Sequence, residues 1–335
     1  MSYSRRDFGK LALAGLPAAA MWRALGDAGV LAASKIDSKI KGVQIGAITY
    51  SFRSMPAEEI IPAYVKIGLG EMELMSNHAE SLAGIPGMPG GRGGGGGGRR
   101  GDPPTPEQIA AREAAQKAIR DWRASATEAT FKPVRKKIED AGIELKLLCY
   151  NMSDLRTLPD GRTTGTTDEQ IEYGFMMAKW LGVDAMTTST QVSMAKRIAP
   201  FADKHKLMVG FHGHANTKDT NEVATPETFD AVMAASKYHG ANLDIGHYTE
   251  AGYDPVAFIE NHHSRITNLH LKDKKKAERG GTNGPWGTGD TPIKECLKLL
   301  QKNKWNIPAN IEFEYEGDPV VEVTKCFALC KDMLA

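Results

Sequence analysis

Four short segments in the second half of the chain put side chains able to bind a metal at the ends of strand-like runs. They are Gly210-Phe211-His212-Gly213-His214, Leu243-Asp244-Ile245-Gly246-His247, Leu269-His270-Leu271-Lys272-Asp273 and Ile311-Glu312-Phe313-Glu314. His212, Asp244, His270 and Glu312 follow one another at steps of 32, 26 and 42 residues. Two imidazoles and two carboxylates suit a borderline divalent ion. Such an ion polarises a carbonyl or hydroxyl and lowers the cost of an enolate beside it.

Chemistry of this kind also needs proton carriers and groups to hold the substrate. Glu73, near the end of an earlier strand-like run, and Glu314 are candidate acid/base groups. Lys272 is a candidate for stabilising an oxyanion. His214 shares a strand face with His212 and is the substitute ligand if that strand is offset; otherwise it faces the substrate. His247 lies past its strand, above the site. Trp286, in Gly284-Pro285-Trp286-Gly287, offers an apolar platform for a sugar. A lone histidine in a strand is ordinarily a hydrogen-bonded core residue. Four metal-competent positions on successive strand ends outweigh that reading. Glu312 and Glu314 would also repel each other without a cation between them.

Positioning such a set requires strands that converge. Eight strand-like runs are expected: Val43–Thr49, Met72–Met75, Ile143–Cys149, Ala185–Thr188, Met208–Phe211, Asn242–Ile245, Ile266–Leu271 and Ala309–Phe313. Amphipathic stretches lie between them, among them Ala57–Ile67, Lys132–Asp140, Asp168–Leu181, Met194–Lys204, Pro226–Tyr238, Pro255–Asn261 and Ile293–Lys302, with Val320–Leu334 closing the chain. Alternating strands and helices mean βαβ units and a parallel sheet. Eight units of about 30 residues close as a (β/α)8 TIM barrel, whose chemistry collects at the strand C-termini. An open doubly wound sheet is the rival, but no phosphate-binding glycine fingerprint follows the first strand.

The chain has 335 residues, 41% hydrophobic and 25% charged, with a net charge of +1. That balance is ordinary for a globular protein and carries no signal for nucleic acid or anionic lipid. The N-terminus differs from the rest. Ser4-Arg5-Arg6-Asp7-Phe8-Gly9-Lys10 precedes an apolar stretch from Leu11 to Trp22, with small residues at Ala18–Ala20. Residues 1–33 read as a secretory signal and linker, and the arginine pair resembles a twin-arginine export signal. The stretch is too short for an ordinary membrane span, so no stable membrane anchor is expected after cleavage. A protein exported in the folded state can load its metal in the cytoplasm, away from competing copper and zinc. Mn²⁺ is therefore the expected ion, with Co²⁺, Zn²⁺ and Fe²⁺ also compatible, and the location expected is periplasmic or extracytoplasmic.

Residues 84–106 form a glycine-rich insertion with six consecutive glycines, Gly93–Gly98, flanked by arginines. Such a run cannot bury enough surface to offset its ordering entropy and reads as a flexible loop within the second βα connection. The four cysteines are too few for a disulfide framework. Cys326 and Cys330 share a helix face and read as core.

On these residues the chain resembles the xylose isomerase-like TIM barrels of the sugar phosphate isomerase/epimerase family over about residues 42–334. The resemblance rests on the four segments above, together with Gln44-Ile45-Gly46, Tyr50-Ser51-Phe52-Arg53 and Met72-Glu73-Leu74-Met75. It implies metal ligands at strand ends five to eight, with Asp244, His270 and Glu312 matching family ligands and His247 matching a substrate-binding histidine. His212 stands where well-studied epimerases carry a glutamate that is both ligand and acid/base group. The His-x-His variant is similar to a subgroup whose relatives include keto-inositol dehydratases and enzymes acting on 3-keto-glycosides. No arginine cluster for a phosphate is evident. The expected function is an exported, metal-dependent sugar isomerase or epimerase. The alternative is a lyase or dehydratase that expels a β-leaving group from a keto-sugar, keto-inositol or 3-keto-glycoside. The expected partner is a small carbohydrate, with a homo-oligomer left open. A DNA-repair endonuclease would need a basic groove, and a non-catalytic sugar-binding barrel would have little use for the ligands and Lys272.

Overall fold

The computed structural model describes residues 34–87, 105–158 and 163–335. The signal expected over residues 1–33 and the glycine run of the insertion lie outside the described residues.

Eight parallel strands close into a barrel: β1 (Val43–Ile48), β2 (Glu71–Met75), β3 (Glu144–Cys149), β4 (Ala185–Thr188), β5 (Met208–His212), β6 (His239–Asp244), β7 (Ile266–Leu271) and β8 (Ala309–Ile311). Closure is direct, because β1 pairs with both β8 and β2. This excludes the open sheet. A two-residue strand, Lys39–Ile40, pairs antiparallel with β1.

The helices form because each carries an apolar face and local end signals. Ala57–Ile67 stops at Gly68, a left-handed position (φ 87°) that glycine adopts without strain. Asp168–Leu181 starts at a Thr167–Gln170 capping box and stops at left-handed Gly182. Asp254 and Asp318 cap Pro255–His262 and Pro319–Leu334 in the same side-chain-to-backbone manner. The outward faces of the strands and the inward faces of these helices make one continuous apolar layer, including Phe131, Phe175, Phe229 and Phe258. Cys326 and Cys330 are buried in it as free thiols.

Several expected boundaries move. The helix expected over Pro226–Tyr238 ends at Ala234. There Ser236 donates to Asp203 at 2.6 Å and accepts from the Tyr238 N–H, which turns the chain early into β6. The helix expected from Lys132 begins at Glu128, behind Thr127. After the undescribed glycines, Pro106–Ser125 is a further helix, tied to the barrel by a two-pronged Arg123–Glu80 pair at 2.7 and 2.8 Å.

The barrel interior is unusually polar. Most barrels of this kind fill it with Val, Ile and Leu. Here Glu71, Glu73, Asn242, Asn268 and Asn310 are all fully buried. Gly46 makes room for part of this set. A Cβ there would sit 1.6 Å from Glu71 Oε2 and 2.8 Å from Asn310 Oδ1. Gly46→Ala is therefore expected to cost about 1–3 kcal/mol through overpacking. A lower urea midpoint at unchanged m-value is the result to look for, and an unchanged midpoint would contradict this packing.

Candidate metal centre

Strand register brings the four expected ligands together. His270 lies opposite Asp244 on β6 and opposite Asn310 on β8, so Glu312 stands two residues above that level. His212 lies opposite Asn242, one inward step below Asp244. With this stagger, His212, Asp244, His270 and Glu312 each present one ligating atom within 4.8 Å of the others, and all four are buried. His212 Nδ1 has no hydrogen-bond partner, while Asp244 Oδ2, His270 Nδ1 and Glu312 Oε2 meet only one another and the Lys272 ammonium, in ion pairs. Two carboxylates and an unpartnered imidazole nitrogen converging at such depth are costly, and a bound cation relieves that cost. The residues present therefore fit a divalent metal.

Two of the candidate ligands are aimed by a neighbour. Asp244 Oδ1 accepts the His247 N–H at 2.8 Å and caps the short helix Ile245–Glu250, which leaves Oδ2 for the centre. His270 Nε2 is 2.8 Å from Glu73 Oε2, which leaves Nδ1 facing Glu312 Oε2 at 3.0 Å. A carboxylate behind a histidine fixes the ring's tautomer and orientation.

This places Glu73 differently from expectation. It lies below the ligands, fully buried, and accepts from Thr187, Asn268, His270 and Asn310. Both of its oxygens are already hydrogen-bonded, so it suits holding His270 rather than trading protons with a substrate. Trp286 is also corrected. Only 8% exposed, it packs into the apolar core instead of forming an open platform. The residues that sequence reasoning missed are the asparagines beneath. Asn242, Asn268 and Asn310 each stand two positions before a ligand, hence on the same strand face. That repeated Asn-x-ligand spacing was the available signal.

A cavity of about 300 Å³ opens over the centre, lined by the ligands His212, His270 and Glu312 and by His214, His247, Lys272, Glu314, Tyr50, Asn151 and Ser189. A larger cavity of about 650 Å³ at the opposite end involves Gln44, Glu144, Lys146 and Asp184. Its lysines and carboxylates neutralise one another in ion pairs. The smaller cavity is the one that opens onto the candidate ligands.

Its electrostatics are set by burial and by close charges. Burial first, then His214 and His270, hold the His212 ring well below the usual imidazole range, so it is neutral and available to a metal. Burial also opposes charge on His270, but the Glu73 and Glu312 carboxylates outweigh it and raise that ring well above its usual range. Lys272 follows the same pattern. Burial disfavours its ammonium, yet Asp244, Glu312 and Glu314 hold it charged, with Nζ 2.9, 3.1 and 2.7 Å from their oxygens. Burial would raise Glu312, but Lys272 and His270 keep it well below the usual carboxylate range.

Two further couples flank the cavity. His214 Nδ1 is tightly paired with Glu222, and its Nε2 lies 3.2 Å from Ser189 Oγ. His247 Nδ1 lies 3.4 Å from Glu250 Oε2, which takes Lys274 Nζ at 2.8 Å. Burial and Lys272 lower the His247 ring.

Because the Glu73 and Glu312 carboxylates favour a proton on His270, a metal taken up there would displace it. Titration calorimetry in buffers of different ionisation enthalpy should show proton release, with affinity rising as pH rises. Glu73→Gln should weaken the metal about 10- to 100-fold with the fold intact. Unaltered affinity in that variant would remove Glu73 from its supporting role.

A model of the xylose isomerase-like TIM barrel family matches residues 110–327, well over half of the chain. An inosose dehydratase of Clostridium botulinum is 28% identical over 137 residues, which are 36% of this chain and 44% of that protein. The match thus spans less than half the length of that relative. Among solved structures, a probable 3-DHS dehydratase from Bacillus anthracis aligns with 86% of this chain and 98% of its own (14% identity, TM-score 0.58). A sugar phosphate isomerase/epimerase from Parabacteroides distasonis aligns with 90% and 99% (17% identity, TM-score 0.54). At such identities the structures speak for the fold alone. With the family model covering residues 110–327 and the eight strands closed around a polar mouth, the chain belongs to the xylose isomerase-like TIM barrel family.

Proposed function

We propose that this protein is a divalent-metal-dependent enzyme that removes a proton next to the carbonyl of a small sugar-like substrate and completes the reaction by β-elimination. The observation that carries this reading is the distribution of proton carriers around the centre. Glu73 is committed beneath His270, and of the two imidazole–carboxylate couples beside the cavity His214–Glu222 is the more closely paired, Glu250 being shared between His247 and Lys274. Epimerisation needs two carriers that act in turn on one carbon; elimination needs one base and a leaving group. The inosose dehydratase among the similar proteins accords with this outcome.

His212, Asp244, His270 and Glu312 would hold a divalent ion, which would supply Lewis-acid polarisation of a substrate oxygen. Mn²⁺ is the ion proposed, with Co²⁺, Fe²⁺ and Zn²⁺ suiting the same nitrogen and oxygen donors. His214 takes the α-proton on Nε2 while Glu222 steadies the imidazolium through Nδ1. The electron pair of the C–H bond moves toward the carbonyl oxygen, and Lys272, charged and lining the cavity, stabilises the developing oxyanion. When the carbonyl re-forms, the C–O bond at the β-carbon breaks. The proton held by His214 passes to the leaving oxygen, which departs as water or an alcohol. The polar cavity walls, with Tyr50 and Asn151, suit a polyhydroxylated substrate. Export by a twin-arginine route, with the metal loaded beforehand, belongs to the same proposal and rests on the Arg5-Arg6 segment.

Isomerisation or epimerisation is the second reading. Glu314 favours it, a carboxylate on the cavity wall that could serve as a second carrier while paired with Lys272.

Incubating the Mn²⁺-loaded protein with keto-sugars, keto-inositols and 3-keto-glycosides in D₂O separates the two. Release of water or an aglycone supports elimination; deuterium uptake with the carbon–oxygen bonds intact supports isomerisation. Neither outcome across the panel would sink both. His214→Ala should lower kcat about 100- to 10,000-fold. Lys272→Ala should lower it about 100- to 1,000-fold with metal retained. Glu312→Gln should lose both metal and turnover. Equal metal loss in the Lys272 and Glu312 variants would refute their separate roles.

A further inference from the structure

Below the metal centre lies a buried carboxyl that the mechanism does not use. Glu71 is fully buried, and neither of its oxygens has a hydrogen-bond partner in its drawn, ionised form. Asn310 Oδ1 is likewise unpartnered. The two acceptors flank the same small space above Gly46, where a Cβ would meet Glu71 Oε2 at 1.6 Å and Asn310 Oδ1 at 2.8 Å. The other end of the Asn310 amide is committed, since Nδ2 donates to Glu73 Oε2 at 3.0 Å.

One amide thus sits between two carboxyls. An amide has an acceptor end and a donor end. It can donate to one carboxylate, and toward the other it presents an oxygen that requires a donor. Two anions on either side cannot both be satisfied, so the pair must carry a proton. Glu73 already accepts from Thr187, Asn268 and His270 and is the better home for the charge. The proton then belongs on Glu71.

We propose that Glu71 is a neutral carboxylic acid whose hydroxyl donates to Asn310 Oδ1. This hydrogen bond locks the amide with its donor end toward Glu73, and so keeps Glu73 an acceptor for His270 Nε2. Glu71 is a positioning residue for the metal centre, acting through Asn310, Glu73 and His270 in turn. The inference rests on the reading of His270 as a metal ligand, although the protonation of Glu71 stands without it.

The balance of the groups around Glu71 points the same way. Burial is the main influence raising its carboxyl well above the usual range, followed by the Glu73 charge. Glu144 adds to this, while Lys146 and, as the smallest influence, the Asn310 side chain oppose it; Lys146 is already paired with Glu144 and Asp184. The Tyr64 hydroxyl donates to the Ala47 carbonyl at 2.6 Å and is not free to serve Glu71.

Three measurements on the full protein test this. Infrared spectra at pH 7 should show a protonated-carboxyl carbonyl band that Glu71→Gln removes; no difference in that band would overturn the proposal. Melting temperature against pH is the second. A group with a raised folded-state pKa holds its proton in the folded state while the unfolded chain releases it, so stability falls as pH climbs above the ordinary carboxylate range. Glu71→Gln cannot lose a proton, so it should gain on the wild type steadily toward alkaline pH, and a constant gap would contradict a neutral Glu71. The third is titration with Mn²⁺ or Zn²⁺. Glu71→Leu leaves Asn310 without its donor and should weaken binding about tenfold, while Glu71→Gln, whose amide can donate in the hydroxyl's place, should restore it. Equal weakening in both variants would reduce Glu71 to a space-filling role. If the protein takes up no metal at all, the metal-centre reading fails, while the infrared and melting results still decide the state of Glu71.

Discussion

Four candidate ligand atoms, all buried and all within 4.8 Å of one another, are the constraint around which the mouth of this barrel is arranged. Two of them belong to carboxylates. Anions this close and this deep repel one another and have lost their water, so positive charge must stand among them. Lys272 supplies part of it, with its ammonium in reach of Asp244, Glu312 and Glu314. A divalent ion answers the rest. Much else follows from this need. Asp244 is turned by the helix it caps, His270 is turned by Glu73, and His212 is kept neutral by burial.

The same need reaches down into the barrel. An interior of branched aliphatic residues would pack well but would leave Glu73 without hydrogen bonds. Instead Asn268 and Asn310 donate to Glu73, with Thr187 completing the set from across the barrel. Polar networks of this kind hold when every member is satisfied and fail when one is not. Stability is therefore carried mainly by the outer apolar layer between strands and helices. The inner layer is given over to orienting ligands.

Glycines mark where this arrangement is tightest. Gly46 leaves space for Glu71 and Asn310, and Gly210 for Thr267 and Asn242, since a Cβ at Gly210 would stand 2.1 Å from Thr267 Oγ1. Gly246 lies against the backbone of Lys272, at 2.7 Å from a would-be Cβ to the carbonyl oxygen. Neither a sequence pattern nor a propensity reports such contacts.

Local chemistry made much of the fold legible. Apolar runs of four to seven residues, amphipathic stretches between them and Thr, Asp and Gly at the helix ends place the eight strands and most helices within a few residues of the structure. Those signals act between near neighbours along the chain, so they are written in it. The spacing of His212, Asp244, His270 and Glu312 was legible for the same reason, because each ends its own βα unit. Register was not. Whether His270 faces Asp244 or a neighbour, and whether Glu73 points to the substrate or beneath a ligand, depends on how eight strands stagger when the barrel closes. That stagger is a property of pairings between residues up to some 260 positions apart. It moved Glu73 from the cavity to the supporting layer, sent Trp286 into the core and set Glu71 against Asn310. Residue types and their order determined which chemistry the chain can support; the closed barrel decided which of those residues meet.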